Sequence, residues 1–380
     1  MAKVLKPKTD AELAEAIASS RSSFVVQGTS TKSGWGRSIV TDQTLDLSGF
    51  TKIHSYEPEE LILEAGAGTR RADIEKLLDQ NNQQFAFEPP DFSTLYGTAH
   101  AGTLGGMLAC NLSGPRRIKA GAARDHVLGV SAVSGRGEIF KAGARVVKNV
   151  TGYDVPKLMA HSFGTLAVLT SVIFKVLPKP ETEETLVIEG LNDAKAVEAM
   201  TLAMQSSCEV SGAAHMPGRG TYLRLEGIAA SVAYRREALL KLLGSGSHVL
   251  PESKSQEIWK DIRDVAAILD NSNASIWRIS ITPSDAPQFV TALRSKMDVR
   301  YYLDWAGGLV WLETSSDGAN IVRSLMTSGH ATLLRAPDIV RTKVDVFQPQ
   351  EPALAALALR VKQSFDPEQR LNPGRMYSGV

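Results

Sequence analysis

GTLGG (Gly102–Gly106), CNLSGPRR (Cys110–Arg117), GAARDHVLG (Gly121–Gly129), VKNVTGYDVPKLM (Val147–Met159) and HSFGTLAVLTSVIFKVLPKP (His161–Pro180) follow one another between Tyr96 and Pro180. Three of these segments are glycine-rich turns, and the last is an apolar strand. Glycine accepts a positive φ and lets a backbone come close to a ligand. Runs of exposed N–H groups in such turns form anion-binding nests. Several nests within one domain point to a long ligand that carries a diphosphate and is held along its length.

The pattern extends toward the N-terminus. Thr9 and Glu12 make a capping box, so Asp10–Ser19 reads as a helix. Phe24–Gln27 is a short strand running into GTSTKSGWGR (Gly28–Arg37). Leu45 and Leu47 alternate with Asp46 and Ser48, as in a half-buried strand. Leu61–Ala65 reads as another strand, followed by GAGT and a helix near Arg71–Gln80. Pro178, Pro180 and ETEET mark a boundary.

Beyond that boundary a pattern occurs twice. The first copy is strand Thr185–Glu189, helix Asp193–Met204, hairpin Val210–His215 with Tyr222–Glu226, helix Val232–Leu243 and strand His248–Leu250. The second is strand Ser275–Ile281, helix Asp285–Lys296, hairpin Val299–Asp304 with Leu309–Glu313, helix Gly318–Thr327 and strand Ala331–Arg335. This is βαββαβ twice, a ferredoxin-like double unit. Between the copies, Ser253–Leu269 with Trp259 reads as an inserted helix. A last helix, Pro352–Phe365, leads into DPEQRLNPGR, whose composition suits a tail rejoining the first domain. The expected class is α+β, with domains 1–180 and 181–345 and a returning segment 346–380.

Composition narrows the function. The 42 basic and 41 acidic residues leave a net charge of +1, which gives no support for a nucleic-acid footprint. Two cysteines, Cys110 and Cys208, argue against a disulfide framework and suit a reducing compartment. The N-terminal segment lacks the apolar core of a signal peptide. No apolar run reaches membrane-spanning length, since Thr170, Ser171 and Lys175 interrupt Leu166–Leu177. A cytoplasmic protein is expected, with any membrane association made through partners.

Each motif has a plain alternative. Gly66–Gly68 follows a strand and opens a helix, but Arg71 stands where a dinucleotide fingerprint needs its third glycine, so a simple strand–helix turn is favoured. Gly28, Thr29, Ser30, Thr31 and Ser33 offer N–H and hydroxyl donors directly after a strand, as a phosphate loop or a polar surface loop would. Gly102, Gly105 and Gly106 precede Met107–Cys110, read as the start of a helix whose N-terminus favours an anion. Arg116, Arg117 and Lys119 form a basic cluster, either mere surface or a docking patch for an acidic partner. Lys148, Asn149, Tyr153 and Asp154 surround Gly152 in a polar run that suits a ligand or a solvated turn. Cys110 reads as a small core residue, and the histidines lack metal-ligand spacing. Trp259, Trp277, Trp305 and Trp311 suit core packing better than ligand stacking.

Taken together, the glycine loop at Gly28–Gly36, GTLGG, GPRR followed by RDHVLG, the run Lys148–Asp154 and the terminal LNPGR resemble the flavoproteins of the vanillyl-alcohol oxidase (PCMH) type. Within them, the similarity is to the FAD-binding subunits of bacterial glycolate-oxidising complexes, and it covers nearly the whole chain. The resemblance implies a two-lobed PCMH-type FAD domain and a cap over the flavin ring. It implies that Gly28, Thr29, Ser30, Thr31, Lys32 and Ser33, with Gly102, Thr103, Leu104, Gly105 and Gly106, hold the diphosphate. Arg124 and Asp125 would lie near the flavin and ribityl chain, Gly164 and Thr165 on the adenine side, and Asn372 near the ring. The first loop has no histidine where covalently flavinylated relatives place one, so noncovalent FAD is expected.

The resemblance further implies oxidation of a small 2-hydroxy acid, glycolate to glyoxylate, with electrons passed to an iron–sulfur subunit. One departure matters: catalytic members carry a histidine-rich motif in the cap, and only His215, His248 and His330 stand there. The base is therefore unassigned, while Arg219, Arg278 and Arg335 are candidates for gripping a carboxylate. A second FAD subunit would oxidise glycolate while this chain relays electrons or supports assembly. A self-sufficient 2-hydroxy acid dehydrogenase, a flavin-fold scaffold without catalysis and a cell-wall reductase of the same fold are the alternatives.

Overall fold

A computed structural model of the chain describes residues 3–145, 152–244, 246–269, 274–314 and 318–380. Two sheets and a two-stranded ribbon, Gln83–Gln84 with Leu177–Pro178, make the N-terminal half. The first is parallel, in the order Lys3–Leu5, Gln43–Asp46, Phe24–Gln27. Helix Asp10–Ala18 covers it. Thr9 Oγ1 accepts the Glu12 amide and Glu12 reaches back to the Lys8 amide, so the expected box closes one residue earlier on its return arm. Leu13 and Ile17 from that helix pack with Phe24, Leu45 and Leu371 into a small separate core. The strand expected through Leu47 stops at Asp46, because the Asp46 carboxylate accepts the Ser48 amide and closes a 3₁₀ turn, Leu47–Gly49.

The second sheet has five antiparallel strands in the order Ile53–Glu57, Ile62–Gly66, Ala167–Lys175, Val127–Ser134, Ile139–Gly143. The apolar run of the last sequence motif becomes its central strand, paired on both edges and buried along most of its length. Between the two sheets, Thr103 caps a short helix, Leu104–Ala109, by accepting the Gly106 amide. The helix therefore starts inside GTLGG rather than at Met107.

The C-terminal half carries one eight-stranded sheet. Its order is Ser247–Leu250, Thr182–Ile188, Gly220–Gly227, Gly212–Met216, Val299–Asp304, Leu309–Thr314, Ser275–Ser280, His330–Arg335. Numbered within each copy, that is 4-1-3-2 joined to 2-3-1-4. The two βαββαβ units meet edge to edge through the bridge His215–Leu303, so the sequence repeat is a pseudo-twofold in space. Helix Glu252–Arg263 follows the first unit, and its Trp259 indole donates to Thr185 Oγ1 on the strand beneath.

Helix Pro352–Phe365 then carries the chain back to the first half. Leu371 lies parallel beside Phe24, with the Phe24 amide on Arg370 O (2.7 Å) and the Asn372 amide on Phe24 O (2.9 Å). Lys362 and Asp366, each 0 % exposed, form an ion pair of 2.7 Å at this junction. The Lys362 ammonium also donates to Thr165 O and Leu371 O.

Candidate functional site

An elongated cleft runs between the two N-terminal sheets, bounded by Val25 to Ser33 on one side and by Ala67, Ala109 and Leu169 on the other. Gly28 to Ser33 form one wall. The loop crosses the second glycine turn at Gly28, where a Cβ would come within 2.8 Å of the Thr103 side chain. Gly105 is pressed on the opposite strand end, where its Cβ would meet Ala67 Cβ at 2.8 Å. Gly28 is thus required by the Thr103 side chain packed on it, and Gly105 by Ala67 and its carbonyl, and these approaches shape the cleft.

The hydrogen-bond inventory separates the two loops. Among the described residues, the amides of Gly28, Thr29, Ser30, Thr31 and Lys32 find no protein acceptor, and Ser30 sits at φ +56°. Thr29 Oγ1 is buried and likewise without a partner. A buried hydroxyl such as this one is normally satisfied, and the row of amides beside it offers further donors to an acceptor from outside the chain. In the second loop, by contrast, the amides of Leu104, Gly105 and Gly106 are taken by Thr69 O, Ala67 O and Thr103 Oγ1. Gly102 and Thr103 keep theirs free.

Lys32 supplies the charge. Its ammonium contacts Thr31 Oγ1 (3.2 Å) and Ala101 O (3.3 Å), and stands where a Cβ on Gly102 would be 2.4 Å away. Burial holds its pKa below the ordinary lysine value. An anion arriving beside this cation would offset the cost of its burial and favour the charged ammonium. The donors, the cation and the apolar far wall of Leu47, Ala67, Ala109 and Leu169 fit a diphosphate with an aromatic end group.

The remaining sequence candidates fall into two groups. Gly164 and Asn372 line the cleft. Asn372, at φ +42°, spends its side chain on the protein: Oδ1 accepts the Val26 amide (2.9 Å) and Nδ2 donates to Phe163 O (2.8 Å). Leu104 is turned into the core, and Thr165 is buried with its hydroxyl on Ser162 O. Arg124 and Asp125 form an exposed pair at 3.6 Å outside the cleft lining, with Asp125 accepting the Ala122 amide. Lys148 and Asn149 lie outside the described residues; of their motif, Tyr153 is 95 % exposed and Asp154 caps helix Val155–Met159. Arg375 is an addition. Its guanidinium donates to the carbonyls of Lys32 (3.0 Å) and Ser33 (2.9 Å), fixing the backbone of the first glycine loop from the returning tail. Its signal was the LNPGR motif itself.

Three other readings are resolved by contacts. Gly66 and Gly68 pack on the carbonyls of Phe50 and Leu47, where a Cβ would be at 2.2 and 2.1 Å, so GAG is a packing turn. Cys110 is buried, and burial pushes its thiol up to about 11, which makes it an inert wall residue. The basic cluster docks, but on this chain's own cap: Arg116 binds Glu226 (2.6–3.0 Å), Lys119 pairs with Glu209 (3.1 Å), and Arg117 lies on the Trp305 ring.

Residues 1–143 match the family described as FAD binding domain. The chain is 34% identical to glycolate oxidase subunit GlcE of Escherichia coli (strain K12), over 95% of its own length and 94% of that protein. The chain belongs to the GlcE family of FAD-binding oxidoreductases. It is also 28% identical to glycolate oxidase subunit GlcD of Bacillus subtilis (strain 168), over 56% of this chain and 43% of the relative. A p-cresol methylhydroxylase structure with substrate bound superposes with a TM-score of 0.75 at 13% identity, covering 99% of this chain and 88% of that one, which shows the shared PCMH-type fold. FAD is the cofactor of the family, and the chain is an FAD-dependent oxidoreductase. No helix among the described residues is long and apolar enough to cross a membrane.

Proposed function

We propose that this chain is the noncovalent FAD subunit of a glycolate-oxidising complex, with residues 1–180 holding the cofactor, 181–345 covering it and 346–380 closing the pocket. One observation carries the reading: a row of five unpartnered amides, an orphaned buried hydroxyl and an unpaired lysine face one elongated cleft. Gly28 to Ser33 would grip the diphosphate with their amides, Thr29 Oγ1 and the Lys32 ammonium. Of the second loop, Gly102 and Thr103 would add donors, while Gly105 and Gly106 set the shape. Gly164 and Asn372 would bound the cofactor opposite that loop.

When bound, FAD takes two electrons from a carbon–hydrogen bond of the hydroxy acid. The protein's part is to position both partners and to exclude water. Onward transfer requires another centre, and Cys110 and Cys208 are both buried in different halves of the fold. An iron–sulfur subunit and a second FAD subunit are therefore the proposed partners, with the complex at the cytoplasmic face of the membrane through them.

Thr29→Val tests the reading by the sign of two effects. Removing an orphaned buried hydroxyl leaves the FAD-free protein as stable as before or more so. FAD binding weakens about tenfold if that hydroxyl serves the cofactor, since one hydrogen bond to a charged group contributes roughly 1.5 kcal/mol. Both are read by fluorescence titration of FAD into the stripped chain and by its melting curve. Unchanged FAD affinity would exclude Thr29 from the site, and a colourless chain that ignores FAD would end the reading.

A further inference from the structure

The junction of the cap with the FAD-side loops gathers a second group of side chains whose charge is unbalanced. Trp305 stands at its centre, and its indole N–H crosses the junction to Gly114 O (3.1 Å). The Arg117 guanidinium lies 4.6 Å from the indole centroid and that of Arg278 lies 5.0 Å from it. One arginine comes from the GPRR loop and the other from cap strand Ser275–Ser280, so the site exists only when the two halves are docked. Among the described residues neither guanidinium makes an ion pair or a hydrogen bond to protein, although burial depresses both. The other two cap candidates are otherwise placed. Arg335 donates to Leu95 O and Ala274 O, and Arg219 lies at the turn between Gly212–Met216 and Gly220–Gly227, lining separate grooves.

The surrounding groups do not restore neutrality. His161 and His330 both lie within electrostatic reach of Arg117 and Arg278. Burial, then Arg278, His330 and Arg117, push His161 down to about 4, so it is neutral at physiological pH. The acid that acts on Arg278 is Asp304. Its carboxylate is committed to the Trp305 amide (2.7 Å), and burial raises it to about 7, so it offsets only part of one charge. Near Arg117, Asp125 is turned onto the Ala122 amide, and Arg124 adds a further cation. Two guanidiniums gathered on one ring without a matching acid leave room for an anion supplied from solution.

The neighbourhood fixes what the anion is for. The His161 ring is 5.2 Å from the Phe163 ring, and Phe163 lines the FAD cleft. We infer that Arg117 and Arg278, held on Trp305, grip the carboxylate of a small 2-hydroxy acid beside the flavin. This rests on the flavoprotein reading above. Guanidinium pairs a planar carboxylate with two parallel hydrogen bonds, and rigid stacking on the indole pre-pays the ordering of two flexible side chains.

The test uses the full-length protein loaded with FAD and oxalate as the probe. Calorimetry and the flavin absorbance change read its binding, and inorganic phosphate serves as the comparison anion. The expected result is one saturable oxalate site that prefers oxalate to phosphate. Arg278→Gln and Arg117→Gln should each weaken it about 10- to 150-fold, the span of a lost charge-assisted bond. FAD stoichiometry and melting temperature should stay at the wild-type values. Arg278→Lys keeps the charge without the fork and should fall between. Oxalate binding equal in wild type and both glutamine variants, equal affinity for phosphate, or no oxalate site in a fully flavinated protein would each overturn the inference while leaving the FAD reading intact. A chain that takes up no FAD fails the earlier reading instead, and calorimetry still reports on the arginines.

Discussion

Arg224→Met is the substitution that most directly tests how the cap is held. Arg224 is 1 % exposed and lies 4.5 Å over the Trp259 ring. It reaches from cap strand Gly220–Gly227 to Glu88 on the FAD side with two bonds of 3.0 and 2.9 Å, and stands 3.4 Å from Glu226. Arg116 completes the group from the FAD side, binding Glu226 and donating its own amide to Glu88. Burial alone would raise the pKa of Glu226, but Arg224 and Arg116 hold it down at about 2. Methionine keeps most of the volume and the contact with Trp259 while deleting the charge. Glu88 and Glu226 are then left to share Arg116 in a dry junction. Breaking a buried pair from one side costs about 3–5 kcal/mol, because the surviving charge has lost its partner. At roughly 2–4 °C per kcal/mol, the melting temperature should fall by about 6–20 °C. Thermal unfolding of the FAD-loaded chain at pH 7, followed by circular dichroism, reads the change. The double variant Glu88→Gln with Arg224→Met should lose less than the sum of the singles, because the stranded carboxylate is gone. A melting temperature within about 2 °C of wild type would mean that the group is solvated and contributes no more than an exposed pair, and the docking argument would fail.

Two further outcomes follow from the same electrostatics. Burial raises Glu183 to about 6, so between about pH 4.3 and 6 the folded chain keeps a proton that the unfolded chain releases; stability should decline by about 2 kcal/mol as pH rises through that window, and Glu183→Gln should flatten the slope in urea melts. Lys362→Met strands the Asp366 carboxylate, which keeps only the amides of Arg370 and Leu371, and should cost about 3–5 kcal/mol. Limited proteolysis should then cut the tail after Phe365, and FAD affinity should drop as Asn372 and Arg375 leave the cleft; a tail that stays protected would refute that coupling.

What the sequence revealed divides along the range of the interactions. Helix Pro352–Phe365 has the bounds expected from its proline start and apolar run, and the two cap units appear in the expected order, because period and turn chemistry are local. The loop after Phe24–Gln27 was legible for the same reason. What escaped depends on partners far along the chain. Arg116 meets Glu226 at a separation of 110 residues, and no local pattern distinguishes it from a surface cation. Arg124 and Asp125 show the converse. Their motif looked like a site, yet the pair lies exposed in the turn Ala123–His126, where Asp125 caps the local backbone. Arg375 was visible as a letter but not as a brace for the Gly28–Ser33 loop, since that role exists only once the tail has returned beside Phe24.

The GPRR segment shows why one short motif can matter both to cap docking and to the Trp305 group. Gly114 must be glycine because a Cβ there would fall 2.2 Å from Glu88 O, and this contact brings the loop against the backbone of the clamp residue. The same residue's carbonyl accepts the Trp305 indole. Two residues on, Arg116 enters the Glu226 pair, and Arg117 takes the face of Trp305. Four consecutive residues thus tie the FAD-side loops to both halves of the cap sheet, the Arg224 half and the Arg278 half. A disturbance of the Glu88–Arg224 clamp must therefore shift Gly114, and with it the indole on which both arginines rest. Anion binding at Trp305 and cap docking at Arg224 are then coupled through one backbone segment, and by linkage oxalate should raise the melting temperature of wild type more than that of Arg224→Met.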